Sequence, residues 1–244
     1  MNARTIVVAL AALLATSSLT VSALAQPQPG QTQPKAVVKL VLDKTSFEPG
    51  AEIHVRVQAT DVDLDDSAWI GVLPADIAHG DENVNDEHDL DYRYLRTNHD
   101  REYYFTAPAK PGKYDLRLNS SDSSGKELHA VAFEVIPSQR ANRDPKPSLR
   151  LDAPRYKRGV WMRVEFEAPA QWPADAWVGI IPADVPHGSE ATNDAHDVDY
   201  RYLQGLTWGV VRMQVPAEPG KYEIRIHDTD NSGKEWKAVP FVVE

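Results

Sequence analysis

The amino-acid sequence predicts an all-β fold made of two similar domains in tandem, and three observations lead to that prediction. Residues 68–135 align with residues 176–243 without a gap at a constant offset of 108, and roughly half of the paired positions are identical. Segments such as Lys113–Leu118 and Lys221–Ile226 alternate apolar and polar residues, which is the period of a half-buried strand. Neither copy contains a sustained helical stripe.

Composition narrows the class of protein without naming a function. The chain has 244 residues, of which 42% are hydrophobic and 25% charged, as in ordinary globular proteins. Its formal net charge of −10 repels phosphate backbones, so we expect no nucleic-acid partner. Cysteine is absent, which excludes disulfides, thiolate metal sites and cysteine nucleophiles.

The N-terminal segment has the pattern of an export signal. Arg4 precedes the apolar run Ile6–Leu14, and Ala23-Leu24-Ala25 has the form of a cleavage site, so we predict a signal peptide over residues 1–25. No later segment is long and apolar enough to span a bilayer. We therefore predict a secreted or periplasmic protein with no integral membrane segment after signal cleavage. Residues 26–35 are rich in Pro and Gln and are predicted to form a tether.

The two copies define the domain organisation. We predict repeat 1 over residues 36–136, a polar Pro-containing linker over residues 137–147, and repeat 2 over residues 148–244. Each repeat holds about seven short strands separated by Pro-Gly and Ser-Gly breaks. That number of strands predicts an immunoglobulin-like (fibronectin-III-like) β-sandwich for each repeat.

Four aromatic residues are predicted to lie in the cores. Trp69 and Trp177 occupy matching Ala-Trp-Ile/Val-Gly strands, as a central core tryptophan would. Tyr114 and Tyr222 follow Pro-Gly-Lys, a pattern that predicts a tyrosine corner, in which the hydroxyl closes a loop before the next-to-last strand.

The order of these motifs resembles SKICH-type immunoglobulin-like domains. Each copy contains Trp-Ile/Val-Gly, a Tyr-x-Tyr strand, Ala-x-x-Pro-Gly-x-Tyr, an Asp/Ser-x-x-Gly turn and a terminal Phe-x-Val strand, and the resemblance covers about two-thirds of each copy. The resemblance implies a binding or targeting module that is not an enzyme. An acidic insertion after the Trp strand has no counterpart in that family, so the resemblance implies no functional residue there.

The acidic insertion is the most informative segment of the chain. Residues 74–95 and 182–203 share the string H-G-x-E-x-x-N-D-x-H-D-x-D-Y-R-Y-L, whereas residues 97–106 and 205–214 share nothing. Seven carboxylates lie between positions 76 and 91 with no Lys or Arg among them. Crowded carboxylates repel one another unless a cation or hydrogen-bond donors lie among them. Carboxylate and Asn oxygens suit Ca²⁺, which takes six to eight oxygen ligands. The predicted metal ligands are Asp76, Glu82, Asn85, Asp86, Asp89 and Asp91 in repeat 1, and Asp184, Glu190, Asn193, Asp194, Asp197 and Asp199 in repeat 2.

Two other interpretations of the insertion stay open. In the first, the loop is structural and binds no metal, because Arg93 or Arg201 pairs with the nearby carboxylates and backbone donors satisfy the rest. In the second, histidines bind a transition metal such as Zn²⁺. These histidines, which are otherwise loop-structural, are His79, His88, His187 and His196. The nearby Asp228-x-Asp230-x-Ser232-Gly233 resembles the start of a calcium loop but is predicted to be a hairpin turn.

The sequence thus favours an exported, non-catalytic binding protein with a Ca²⁺-binding loop in each repeat. The loops, or a Trp-bearing face of repeat 2, would contact a protein or glycan partner at the cell envelope. The first alternative is a structural or adhesive protein without metal. The second is a metal-assisted hydrolase using His79, His88 and their equivalents, although the chain carries no G-x-S-x-G, H-E-x-x-H, phosphate-loop or dinucleotide motif.

Overall fold

The computed structural model describes residues 37–60, 64–95, 102–138, 140 and 144–244. The predicted signal peptide and tether lie outside the described residues, as do residues 139 and 141–143 of the predicted linker. Among the described residues the regular structure is almost entirely strand, with two helices of five residues each. None of these helices is long or apolar enough to cross a membrane.

Repeat 1 forms two facing sheets. Its strands are β1 (Val37–Leu42), β2 (Ser46–Phe47), β3 (Glu52–Thr60), β4 (Trp69–Pro74), β5 (Asp91–Tyr94), β6 (Glu102–Thr106), β7 (Gly112–Asn119) and β8 (Glu127–Val135). One sheet has the order β1-β3-β6 and the other the order β2-β8-β7-β4-β5. All neighbours are antiparallel except β2 and β8, which pair in parallel over two residues.

Repeat 2 has the same architecture. Its strands are β9 (Ser148–Leu151), β10 (Arg155–Tyr156), β11 (Trp161–Glu167), β12 (Trp177–Pro182), β13 (Asp199–Tyr202), β14 (Trp208–Gln214), β15 (Gly220–His227) and β16 (Glu235–Val243). The sheets have the orders β14-β11-β9 and β10-β16-β15-β12-β13. Each described repeat therefore has eight strands, one more than the sequence indicated, because a two-residue strand is easily overlooked in an alternating pattern.

The core of each repeat lies between its two sheets. In repeat 1, Ile70 and Val72 of β4 pack there with Leu116 and Leu118 of β7, and all four side chains are buried. The hydroxyl of Tyr114 donates to the carbonyl of residue 110 at 2.8 Å, and that of Tyr222 to residue 218 at 3.1 Å, which is the bond expected of a tyrosine corner. The predicted all-β fold of two immunoglobulin-like sandwiches is confirmed.

Trp69 and Trp177 are buried, but they lie on the outer face of the five-stranded sheets and outside the central cores. Successive side chains of a strand point to opposite faces, so Ile70 faces the three-stranded sheet while Trp69 and Gly71 face away from it. The indole of Trp69 lies across Gly71, where a Cβ atom would come within 2.5 Å of the ring. This position differs from the central one predicted, and it requires a second layer to cover the outer face.

The acidic insertions form that second layer. We call residues 75–90 of repeat 1, and the equivalent residues 183–198 of repeat 2, the lid. Each lid contains one short helix, α1 (Glu82–Asp86) or α2 (Glu190–Asp194). Side chains of the lid bond to outer-face residues of the sheet; for example, Asn85 Nδ2 donates to Asn119 Oδ1 at 2.8 Å in a buried position. The lid thus covers part of the outer face of each five-stranded sheet, while outer-face residues such as Lys113 and Glu134 stay exposed.

The repeats contact each other through edge strands β6 and β14. Thr106 Oγ1 donates to the carbonyl of Val210 at 2.7 Å, and the Val210 N–H donates to the carbonyl of Gly50 at 2.9 Å. The Arg212 guanidinium bonds Glu52 at 2.6 Å. The stretch that shares no residue between the copies, residues 97–106 and 205–214, includes both of these strands.

Candidate metal centre and its supporting network

A buried arginine fastens the lid of repeat 1 to its sheet. Arg117 lies on the outer face of β7, is fully buried, and bonds Asp115 Oδ2 at 3.0 Å. It also donates to the lid, at 2.7 Å to the carbonyl of Ile77, at 3.0 Å to that of Ala78 and at 2.9 Å to Asn85 Oδ1. The buried charge is tolerated because it is paired with Asp115 and both terminal nitrogens are hydrogen-bonded, while Nε has no partner within the described structure.

Repeat 2 reproduces the side-chain and backbone bonds of this arginine. The buried Arg225 bonds Glu223 Oε2 at 2.8 Å and Asn193 Oδ1 at 2.6 Å, and it donates to the backbone carbonyls of Val185 and Pro186 at 2.9 and 3.2 Å. A glutamate therefore replaces the aspartate of repeat 1, and the geometry of the lid is retained.

The histidines of the lid take part in this supporting network. His79 Nδ1 is 2.7 Å from Glu127 Oε1, and the Gly80 N–H donates to Glu127 Oε2 at 3.3 Å. Burial opposes ionisation of Glu127, yet the hydrogen bonds from His79, Asn85 and Gly80 outweigh it and lower the pKa of that carboxyl. The equivalent bond in repeat 2 joins His187 and Glu235 at 2.7 Å.

The second histidine of each lid bonds the helix backbone. His88 Nδ1 is 2.9 Å from the carbonyl of Val84, and His196 Nδ1 is 2.8 Å from that of Thr192. The two histidines of a lid therefore have separate partners, and neither joins the carboxylate groups described below.

The short helices begin where a capping side chain precedes them. Asp81 accepts a hydrogen bond from the backbone N–H of Asn83 at 3.0 Å, and Ser189 accepts one from Thr192 at 3.3 Å. Capping stabilises the first turn of α1 and α2, and the helical period places their first and last residues, four positions apart, on one side of the helix.

Three carboxylates converge at this place in each repeat. Glu82 and Asp86 of α1 meet Asp122 of the β7–β8 hairpin, with one oxygen of each lying within 4.8 Å of the others. The equivalent residues of repeat 2 converge in the same way; they are Glu190, Asp194 and Asp230. We call each group a carboxylate cluster. In the part of the chain that the structure describes, no Lys, Arg or His forms an ion pair with any of the six residues.

Neutral donors orient the cluster of repeat 1. Trp69 Nε1 donates to Glu82 Oε1 at 3.2 Å, and the Gly125 N–H donates to Glu82 Oε2 at 3.3 Å. The hydroxyl of Tyr94 donates to Asp122 Oδ2 at 2.6 Å. The indole predicted to be a core residue thus also positions a buried carboxylate.

Desolvation and the neighbouring charges raise the pKa of one carboxyl in each cluster. Burial raises the pKa of Asp86, and the charges of Asp122, Glu82 and Glu87 raise it further. Burial likewise raises the pKa of Glu190, together with the charges of its two cluster partners. A cation placed among these groups would reverse both shifts, because it stabilises the ionised form.

A fourth acidic residue borders each cluster. Burial and the charges of Asp86 and Asp91 raise the pKa of Asp89 to about 7. Burial and the nearby acidic residues raise the pKa of Asp197 to about 6. Asp197 Oδ2 is buried and has no hydrogen-bond partner within the described structure.

The other predicted ligands lie outside the clusters. Asn85 and Asn193 are fully buried and bond the arginines beneath the lid. The predicted loop pairing of Arg93 and Arg201 is present, because Arg93 bonds Asp91 and Arg201 bonds Asp199. The remaining two predicted ligands, Asp76 and Asp184, are exposed.

Asp122 and Asp230 were not among the predicted ligands. The signal that pointed to them was the calcium-loop-like turn, which the structure shows to be the hairpin between β7 and β8 or β15 and β16. The turn alone supplies one of the three carboxylates of each cluster, since the other two come from the lid. The all-oxygen set fits a hard divalent cation such as Ca²⁺, with water or carbonyl oxygens completing the shell.

No protein-family model matches the sequence, and no curated protein matches it. Solved structures match at low similarity. They include the FN1–FN3 domains of chicken CNTN1 (8% identity, TM-score 0.29, covering 84% of this chain and 66% of that one). Others are an ICAM-5 D1–D4 ectodomain fragment (11%, 0.26, 85% and 53%) and the Yersinia pseudotuberculosis adhesin InvE (10%, 0.25, 85% and 58%). The chain spans less than two thirds of each of these three. The resemblance to SKICH-type domains stays a prediction, and the fold assignment rests on the strand order described above.

Proposed function

We propose that the chain is an exported, non-catalytic binding protein in which each repeat holds one divalent cation, preferentially Ca²⁺, at its carboxylate cluster. The observation that carries this proposal is the convergence of three carboxylates, without a basic partner among the described residues, at equivalent positions of both repeats. Repulsion within such a group is relieved when a cation binds.

The supporting network accounts for the lid without a metal, and this favours the rival structural interpretation for part of the insertion. Arg117 and Asn85 hold the lid on the sheet, and His79 reinforces them. This network does not pair Asp86 or Asp122, however, so it gives no reason for the cluster. A cation would therefore bind at the cluster and not elsewhere in the lid.

The chemistry of the donors favours Ca²⁺ over Zn²⁺. The cluster offers carboxylate oxygens only, whereas zinc prefers nitrogen and sulfur ligands. The histidines required by the zinc and hydrolase alternatives bond Glu127 and a backbone carbonyl instead. Export to the periplasm or the cell exterior, and a protein or glycan partner at the cell envelope, belong to the proposal and rest on the signal-peptide pattern and the resemblance to binding modules.

Thermal melting of the purified protein tests the cation site. The melt is recorded in EDTA and then with Ca²⁺, Mg²⁺ or Zn²⁺ added. A ligand that binds only the folded state at one hundred times its Kd stabilises it by about 2.7 kcal/mol, which corresponds to a shift of several degrees. We expect Ca²⁺ to raise the melting temperature and the double variant Asp122→Asn/Asp230→Asn to remove the effect.

The matched control also removes one carboxylate charge from each repeat, at a pair of equivalent positions outside the clusters. Asp76→Asn/Asp184→Asn alters two exposed carboxylates of the lids and should leave the Ca²⁺ shift intact. A shift with Zn²⁺ alone that is lost in His79→Gln/His187→Gln would support the histidine alternative. No shift with any cation would leave the lid a purely structural element.

A further inference from the structure

The two repeats enclose a cleft of about 870 Å³. Its walls include strands β5 and β13, which occupy equivalent positions and share the sequence Asp-Tyr-Arg-Tyr. The same residues of both copies therefore line one cavity from two sides. A shared role in lining the cleft would explain why the two strands have the same sequence, in addition to any role in supporting the lids.

The cleft exposes apolar surface. Side chains of β5, β13 and the residues preceding them are between 39% and 51% exposed, which is high for large apolar groups; they are Leu90, Tyr92, Val198, Tyr200 and Tyr202. These residues make up more than half of the large apolar side chains that are exposed in the described structure. A concentration of exposed Tyr is typical of protein-binding surfaces, and contiguous apolar patches mark binding sites.

The backbone of the cleft suits an extended ligand. Strand β5 is the edge of the sheet β2-β8-β7-β4-β5, and β13 is the edge of β10-β16-β15-β12-β13. An edge strand has a ladder partner on one side only, so its other side can pair with an added strand. The carbonyls of Tyr92 and Tyr200 already accept from Arg93 and Arg201, so an added strand would displace these two side-chain bonds. Side chains of the added strand alternate, which lets every second one contact the tyrosines.

The surroundings of the cleft are acidic. Its lining contains the cations Arg93 and Arg201, which are paired with Asp91 and Asp199, so these four charges cancel. Each wall continues into a carboxylate cluster, because the hydroxyls of Tyr94 and Tyr202 bond Asp122 and Asp230. A cleft with one excess sign of charge attracts the opposite sign.

We propose that this cleft binds an extended polypeptide segment with basic side chains, which lies along β5 and β13 and places apolar or aliphatic groups on the exposed tyrosines. The inference deepens the proposed binding function by naming the class of partner. The contacts with the tyrosines do not require the cation, since β5 and β13 are positioned by their sheets, whereas a cation bound at a cluster would reduce the negative charge next to the cleft.

Fluorescence anisotropy tests the cleft directly. The probes are labelled decapeptides of alternating Lys and Thr, which favour an extended chain, and matched peptides of alternating Glu and Thr. The titrations are run on the whole protein in EDTA, so that failure of the cation proposal leaves this result unaffected. We expect the Lys peptide to bind, the Glu peptide not to bind, and the affinity to fall as salt is raised.

Variants separate the cleft from general attraction to an acidic protein. Tyr92→Ala/Tyr200→Ala removes two half-exposed rings and should weaken the Lys peptide at least tenfold, while Tyr92→Phe/Tyr200→Phe should retain most of the affinity. Trp236→Ala removes an exposed ring elsewhere, at 44% exposure, and should change nothing. Equal binding to the wild-type protein and the double Ala variant would overturn the proposal, as would binding of cellohexaose in place of the Lys peptide.

Discussion

His227 is a buried histidine at the position where repeat 1 has Asn119. Its ring stacks on the indole of Trp177 with 4.0 Å between centroids, and its Nε2 lies 2.8 Å from Asn193 Nδ2. Burial lowers the pKa of His227 to about 4, and the nearby Glu235 only partly opposes this. The ring is therefore neutral in the folded protein at physiological pH.

This histidine makes repeat 2 sensitive to acid. An unfolded histidine has a pKa near 6.5, so between pH 6.5 and about 4 the unfolded state binds more protons than the folded state. The stability that repeat 2 has above pH 6.5 is then lost as the pH falls, by up to about 3 kcal/mol from this one group. The variant His227→Asn, which copies repeat 1, should remove that part of the loss. Urea denaturation between pH 4 and pH 8 measures it.

Asp89 and Asp197 act in the opposite direction over part of this range. Their folded pKa values of about 7 and 6 lie above the ordinary value of an aspartate, so the folded state binds more protons and gains stability as the pH falls. The difference between the wild-type protein and His227→Asn isolates the histidine, because both proteins contain these carboxyls. Parallel pH profiles for the two proteins would contradict the account.

At the scale of elements, the strands were predictable and the layer that covers them was not. Alternation in β4 and β7 identified the strands, but Arg117 sits at a polar position of β7 that ordinarily faces solvent. An alternating strand does not reveal whether its polar face is covered, so the sequence correctly predicted the burial of Trp69 but not its position between the sheet and the lid. The lid covers that polar face through contacts with sheet residues that are distant from it in sequence.

The candidate site was predictable only in part, because it too depends on contacts between residues distant in sequence. Its two lid members, Glu82 and Asp86, stand out in the repeated acidic string. The third, Asp122, comes from a hairpin that only the sheet pairing of β7 and β8 brings to the lid. Asn85 offers the same amide oxygen that a Ca²⁺ ligand would offer. Nothing in the sequence around it shows that it is instead the buried partner of an arginine.

The hold of the lid on its sheet can be tested at Arg117. The variant Arg117→Met leaves Asp115 and Glu127 without their buried cation, and losing one member of a buried pair costs about 3–5 kcal/mol. We expect this loss in chemical denaturation, together with faster amide exchange in residues 76–90. The control Arg56→Met breaks a pair with Asp43 whose members are both about half exposed, and it should cost no more than about 1 kcal/mol. Equal losses for the two variants would refute the role given to Arg117.

At the scale of the whole molecule, Gly50 permits the close approach of the two repeats. Its φ is +78°, and a Cβ atom there would lie 2.2 Å from the carbonyl oxygen of Trp208. Gly159, its counterpart in repeat 2, has a similar φ of +69° with no atom within 4 Å of the same position. Both glycines thus have a positive φ, but only Gly50 lies against the backbone of the other repeat.

This pair gives a matched test of the contact between the repeats. Gly50→Ala should separate them, because backbone atoms of Trp208 cannot move aside as a flexible side chain would, and the radius of gyration from small-angle X-ray scattering should rise. Gly159→Ala carries the same strain of a positive φ, which costs of the order of 1 kcal/mol, without the clash. Its scattering should match that of the wild-type protein, and a similar rise in both variants would contradict the contact.

Because of the duplication, the number of bound ions can be counted. Each repeat carries one carboxylate cluster, so the chain should bind two Ca²⁺ ions. Isothermal titration calorimetry of the metal-free protein with Ca²⁺ measures that number most directly. We expect two ions per chain, one for Asp122→Asn and none for Asp122→Asn/Asp230→Asn. Absence of binding to the wild-type protein, or two ions bound by the double variant, would contradict this expectation.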